Sequence, residues 1–233
     1  MPELIASPFL DEFLLLHPGH RRGIRMPQTR FAALATTDPR EPVPDWLVAT
    51  AETSWRLRLT GRRFGETVLV RRPCAGYAWA SWEITLGCNW ACPHCYLGPK
   101  QPCGLDWTGK RRLLGLLAEA GVLWLQITGG EPTLDPDFSA AYTLACQLGM
   151  MVTVSTNAST LAKPWLLDLF TRHRPYRIAV SLYGADPSTY QRVTGRAGTW
   201  VTARRGIDAA LGAGLPLRAN LIVTSANADQ VPA

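Results

Sequence analysis

From residue 81 onward the chain alternates short apolar runs rich in β-branched residues with longer helical patterns. The strand candidates are Trp82–Leu86, Leu123–Thr128, Met151–Ser155, Arg177–Leu182 and Leu217–Thr224. Continuous apolar runs of this kind suit strands buried on both faces of a parallel sheet. Between them the spacing predicts helices over about 108–120, 135–148, 160–172 and 199–213. In the second, Asp135 is placed to cap, Pro136 suits the first turn and Gly149 ends the helix. Alternating β and α elements imply parallel strands joined by right-handed crossovers, closed as a barrel or open as a doubly wound sheet. In either, ligands gather at the carboxyl ends of the strands. The polar and cysteine-bearing motifs of this chain follow its strand candidates.

The first such motif is Leu86-Gly-Cys-Asn-Trp-Ala-Cys-Pro-His-Cys-Tyr96, which sets Cys88, Cys92 and Cys95 in the spacing C-x3-C-x2-C. One reading is a zinc knuckle completed by His94. Against it, His94 adjoins Cys95, and no second ligand pair follows as closed zinc sites usually require. The other reading is an iron–sulfur cubane, in which three thiolates leave one iron free to take a ligand. An odd cluster of thiols without an export signal argues against disulfides.

The spacing resembles that of the radical S-adenosylmethionine (SAM) enzymes. The resemblance covers residues 81–233 and implies a partial (β/α) barrel, a [4Fe-4S] cluster on Cys88, Cys92 and Cys95, and SAM chelating the open iron. A second element supports it. Gly129-Gly130-Glu131-Pro132 follows the second strand candidate. Alone it reads equally as a tight turn, since glycines permit unusual dihedrals and close approach. In the family, a matching element meets the amino group of SAM, so Gly129, Gly130 and Glu131 are implied contacts, with carbonyls and the Glu131 carboxylate as acceptors. Ser155 and Asn157 at the end of the third strand are otherwise turn formers; the resemblance places them near the ribose or carboxylate. Ser181, in Ser-Leu-Tyr-Gly184, is either a loop-start serine or the family's serine facing SAM. His94 is expected to stack near the adenine. Tyr96 is expected to present its backbone there, with its side chain in the core. Many relatives carry an arginine where Thr194 stands; Arg192 and Arg196 are the substitutes at hand for the SAM carboxylate.

Residues 1–80 read as a small accessory region. Prolines punctuate it, and Trp55–Leu59 and Phe64–Val70, separated by a glycine turn, predict a β-hairpin. Of the other cysteines, Cys146 lies on the apolar side of a helix and reads as core. Cys74 and Cys103 are too few to hold a second cubane. The net charge of +6 is spread evenly, residues 1–80 carrying 11 basic and 8 acidic side chains and residues 81–233 carrying 13 and 10. A nucleic-acid footprint would be clustered. No apolar stretch is long enough to span a membrane, and the start lacks an export signal, so a cytoplasmic location is expected.

The family core usually holds six β/α units. This chain ends at Ala233, after the fifth strand candidate, so five units are expected, from a truncated product, a fragment or one part of a split chain. The Tyr190–Trp200 segment looks like that of peptide-modifying members. The resemblance thus implies an enzyme that cleaves SAM reductively and takes a hydrogen atom from a ribosomally made peptide, fed by an electron donor such as flavodoxin or ferredoxin. A small-molecule biosynthetic substrate, or an inactive or zinc-binding interaction module, are the alternatives.

Overall fold

The computed structural model describes residues 2–74, 76–98 and 100–230. Its larger part is an α/β layer in which five strands, β5 (Trp79–Thr85), β6 (Trp124–Gly129), β7 (Met151–Thr156), β8 (Arg177–Leu182) and β9 (Leu217–Leu221), pair in sequence order. Every pairing is parallel, which makes a partial β/α barrel. The connecting helices are α4 (Trp107–Glu119), α5 (Phe138–Gln147), α6 (Pro164–Arg172), α7 (Pro187–Thr194) and α8 (Thr199–Gly212). Their apolar faces close over the sheet around Ile84, Ile127, Val154, Phe170 and Ile178, all fully buried.

Burial along the strands follows their place in the sheet. Central β7 and β8 are covered on both faces, as continuous apolar runs suggest. The edge strands differ: β5 alternates between exposed and buried, and β9 is mostly exposed. β9 stops at Leu221, short of the expected Thr224. The expectation about the chain end at Ala233 lies outside the described residues.

Two expectations about the helices need correction, and one helix is additional. Asp135 does not cap α5. A 3₁₀ turn over Pro132–Leu134 intervenes, and the helix starts after Asp137. The Asp135 carboxylate instead accepts from the buried Lys110 of α4 at 2.5 Å and from the Asp137 N–H at 2.9 Å. α6 begins at Pro164, not 160, because Thr160 is held inward by Thr133 at 2.6 Å. α7 was not expected as a helix, although its signals are present: Asp186 accepts from the N–H groups of Ser188 and Thr189, Pro187 opens the first turn and Gly195 stops it at φ 67°.

The first part of the chain forms a second sheet from β1 (Leu4–Phe9), β2 (Glu12–Leu16), β3 (Ile24–Met26) and β4 (Val68–Val70), in the order β3-β2-β1-β4. α1 (Gln28–Thr36), α2 (Asp45–Trp55) and the short α3 (Phe64–Thr67) lie between β3 and β4. The expected hairpin is not there. Trp55 closes α2, Arg56 breaks it in the left-handed region at φ 54°, and Leu59 is buried as part of a connector. The alternation of Trp55–Leu59 therefore reflects an extended segment laid on a core, not a paired strand. The hairpin lies earlier, where β1 and β2 pair antiparallel from Phe9↔Glu12 to Ile5↔Leu16.

The two sheets share an apolar seam of Ile5, Leu16, Leu123 and Met151. Arg71, just past β4, crosses it and donates to the Val122 carbonyl at 2.9 Å. Burial lowers its pKa to about 10. No helix among the described residues is long and apolar enough to cross a membrane.

Candidate active site

The carboxyl ends of the five strands open onto a cavity of about 310 Å³, at the lower end of the roughly 300–1,000 Å³ typical of small-molecule sites. The loop after β5 supplies Cys88, Cys92 and Cys95 to its wall, with His94, Tyr96 and Lys100. β6 contributes Thr128, Gly129 and Gly130, and β7 contributes Ser155, Thr156 and Asn157. Ser181 and Tyr183 follow from β8, and Ile222 lies just past β9. Of the cluster and SAM-contact residues singled out from the sequence, all but Glu131, Arg192 and Arg196 line this one cavity.

Glu131 lies beneath the wall and is fully buried. Its Oε1 accepts from the Thr133 N–H at 3.2 Å, the Thr133 hydroxyl at 2.5 Å and the Thr156 hydroxyl at 2.8 Å. Its Oε2 accepts from the Asn157 N–H at 2.7 Å. The carboxylate therefore clamps the end of β7 to the turn after β6.

The two glycines bring β6 against the cysteine loop. Gly129 has φ 131°, and a Cβ there would lie 2.2 Å from the Thr85 carbonyl oxygen. At Gly130 a Cβ would lie 2.1 Å from the Gly87 carbonyl oxygen. The Gly130 N–H donates to Thr85 and the Glu131 N–H to Gly87, each at 2.8 Å. A side chain at Gly130 must push these backbones apart. Gly130→Ala is expected to cost about 1–3 kcal/mol through overpacking. Gly115→Ala on α4, where an added Cβ meets nothing, is expected to gain about 1 kcal/mol. Thermal melts of the pair check this; equal shifts would refute the close-approach argument.

Asn157 ties the far side of the loop. Its Nδ2 donates to Asn89 Oδ1 at 2.9 Å and points at Cys88 Sγ at 3.9 Å. Asn89 Nδ2 in turn donates to Ser159 Oγ at 2.9 Å. Ser155 Oγ accepts from Gln126 at 2.9 Å and keeps its place on the cavity wall.

The thiols sit in a partly desolvated wall. Burial pushes the Cys92 thiol up to about 11, helped by the neighbouring sulfurs of Cys88 and Cys95. Burial also raises Cys88. The Lys100 ammonium, which donates to Cys95 Sγ, works in the opposite direction on both. No three His, Cys, Asp or Glu side chains among the described residues converge on a point where a single ion could sit. The three sulfurs face a shared cavity, and an all-thiol donor set suits iron–sulfur ligation.

Aromatic rings back this wall. His94 lies 5.5 Å from Tyr183, centroid to centroid, and Tyr183 meets Trp90 and Tyr190 edge-on. The Tyr96 side chain is not core, being 79% exposed, and its hydroxyl donates to Glu83 at 2.8 Å. Neither Arg192 nor Arg196 lines the cavity. Arg192 donates to Thr189 at 2.9 Å, Arg196 donates to the Asn89 carbonyl, and Thr194 is buried. Cys146 is buried among apolar residues, whereas Cys74 and Cys103 are exposed. Lys100, Tyr183 and Thr128 escaped the sequence reading. Thr128 and Tyr183 neighbour motif residues, but nothing in the pattern around Lys100 marks it.

A family model described as the Radical SAM superfamily matches residues 82–226. The AdoMet-dependent heme synthase of Methanosarcina barkeri is 28% identical over 65% of this chain and 44% of its own length. The PqqA peptide cyclase of Xanthomonas oryzae is 31% identical over 64% of this chain and 41% of its own. The chain thus spans less than half the length of these curated relatives. Among solved structures, Streptococcus suis SuiB bound to the precursor peptide SuiA superposes with a TM-score of 0.62 at 17% identity, covering 98% of this chain and 57% of that one. SuiB bound to S-adenosylmethionine gives a TM-score of 0.60 at 18% identity, covering 99% and 58%.

Proposed function

The chain belongs to the radical SAM superfamily, and from that premise we propose that it holds a [4Fe-4S] cluster on Cys88, Cys92 and Cys95 and uses SAM to take a hydrogen atom from a peptide. One observation carries the proposal: the cysteine loop, the Gly129-Gly130 turn and the polar ends of β7 and β8 line the same cavity. When bound, cluster and SAM supply a reductive cleavage that yields a 5′-deoxyadenosyl radical.

The protein's own groups do the positioning. Carbonyls at the Gly129-Gly130 turn suit the amino group of SAM, and no side chain there obstructs the approach. Ser155, Asn157 and Ser181 offer hydrogen bonds along the wall. His94 and Tyr183 offer a ring face for a purine. Glu131 acts from beneath by fixing the turn and the β7 end together. The reducing electron would come from a small donor protein such as flavodoxin or ferredoxin.

The peptide substrate is supported by likeness to PqqA peptide cyclase and to SuiB. Similarity to the heme synthase favours a second reading, a small-molecule biosynthetic substrate. Anaerobic reconstitution of the chain with iron and sulfide tests the class. Reduced, iron-loaded protein should release 5′-deoxyadenosine from SAM, and Cys92→Ala should abolish that release. Undiminished release in this variant, or uptake of zinc in place of iron, would sink the proposal. A peptide that incorporates deuterium from, or loses it to, the adenosyl product decides between the substrates.

A further inference from the structure

We infer that Lys100 is the cation that makes the cluster at Cys88, Cys92 and Cys95 easier to reduce, an inference that rests on the cluster reading above. The Lys100 ammonium donates to Cys95 Sγ and lines the cavity beside Cys92. Among the described residues its hydrogen-bond partner is that sulfur, with no carboxylate in ion-pair range. Lys110 shows the contrast, since its ammonium is held by Asp135 at 2.5 Å and Asp137 at 3.0 Å. Lys100 is thus a positive charge whose counter-charge is supplied by the site itself.

The electrostatics of the wall call for one. Three thiolates around a cubane make an anionic assembly, and an incoming electron adds a further negative charge. Glu131 lies buried under the turn facing Cys88, and Glu83 approaches the loop through the Tyr96 hydroxyl. Both carboxylates oppose electron uptake. Arg192 and Arg196 lie outside the cavity wall and donate to Thr189 and the Asn89 carbonyl, not to a sulfur, so Lys100 is the cation among the described residues with a direct contact to a cluster cysteine. An N–H⁺···S contact lowers the electron density on a ligating sulfur, and hydrogen bonds to the sulfurs and local net charge set such potentials. Lys100 therefore acts through Cys95 as a positioning residue.

The test is a redox titration of the iron-loaded chain, followed by electron paramagnetic resonance and run without SAM. Lys100→Met should lower the reduced-to-oxidised ratio about tenfold at a fixed applied potential, a negative shift of about 59 mV for one electron. Lys100→Arg, which keeps the charge, should stay close to wild type. If Lys100→Met does not retain iron, the same comparison is made with Lys100→Gln, which also lacks the charge. An unchanged midpoint in the neutral variant overturns the inference. So does an unchanged midpoint together with weakened SAM binding by equilibrium dialysis, which would assign the ammonium to the carboxylate of SAM. A wild-type chain that takes up no iron overturns the cluster reading itself, and so separates that failure from a failure of Lys100.

Discussion

Glu131→Ala is expected to cost about 3–5 kcal/mol of folding stability and to abolish SAM binding. The alanine leaves the N–H groups of Thr133 and Asn157 without an acceptor in a buried place. The hydroxyls of Thr133 and Thr156 can turn to other partners, but backbone N–H groups cannot. A buried donor left unsatisfied costs about 1–3 kcal/mol, and a cavity adds to that. Such a loss is a large share of the roughly 5–15 kcal/mol available to a natural domain. Urea unfolding followed by circular dichroism measures it; a loss below about 1 kcal/mol would show the clamp to be dispensable.

The same carboxylate predicts a pH dependence. Burial raises the Glu131 pKa above the ordinary glutamate value, and its four hydrogen bonds pull it back only in part. A raised pKa means that the folded chain binds this proton more tightly than the unfolded chain. The contribution is therefore complete below about pH 4 and is lost as the pH rises through the raised value. Glu131→Gln removes the titration, so its stability curve should lack that fall. Parallel curves for wild type and Glu131→Gln would contradict the assignment.

Lys110→Ala should be nearly as damaging. The ammonium, 3% exposed, reaches from α4 to Asp135, 5% exposed, and to Asp137. Desolvation works against its charge, but the hydrogen bonds to the two carboxylates outweigh it and raise its pKa. Removing one partner of a buried pair leaves the other charged and unpaired, at about 3–5 kcal/mol. For a chain of this size that is a fall in melting temperature on the order of 10 °C. The pair also holds the turn that follows Gly130-Glu131, so SAM affinity should fall with stability. Lys110→Met combined with Asp135→Leu should recover much of the stability, because an apolar pair needs no desolvation. A double variant as unstable as the single would argue that packing, not charge, sets the effect.

The β/α rhythm and the cavity-lining positions were largely legible before any coordinates, for a physical reason. Buried parallel strands need apolar runs, and ligand groups must stand where those runs end. Local cues failed where a tertiary partner overrode them. Asp135 looks like a cap because its neighbours are Pro136 and a helical run, yet a lysine 25 positions earlier claims its carboxylate. Trp55–Leu59 alternates like a strand, but Trp55 belongs to α2 and Leu59 is buried in the connector that follows, so the segment pairs with no strand among the described residues. Glu131 carries a motif but not its expected position: the family resemblance implied a contact at the site, while only the fold shows that Thr133, Thr156 and Asn157 turn its carboxylate inward. Lys100 was invisible because a single lysine on a loop has no periodicity to betray it.

The in-register pairing of β7 and β8, with Ser155 opposite Ala179 and Thr156 opposite Val180, makes the character of the cavity floor a question of odd and even. Side chains on a strand alternate between two faces, so Ser155 and Ser181 share a face that Val154 and Val180 do not. Losing one residue within β7 would turn Val154 toward the ligand and drive a serine into the apolar layer. Losing two would shorten the strand yet preserve its facing. Within the strands of this core, length changes are therefore tolerable only in pairs.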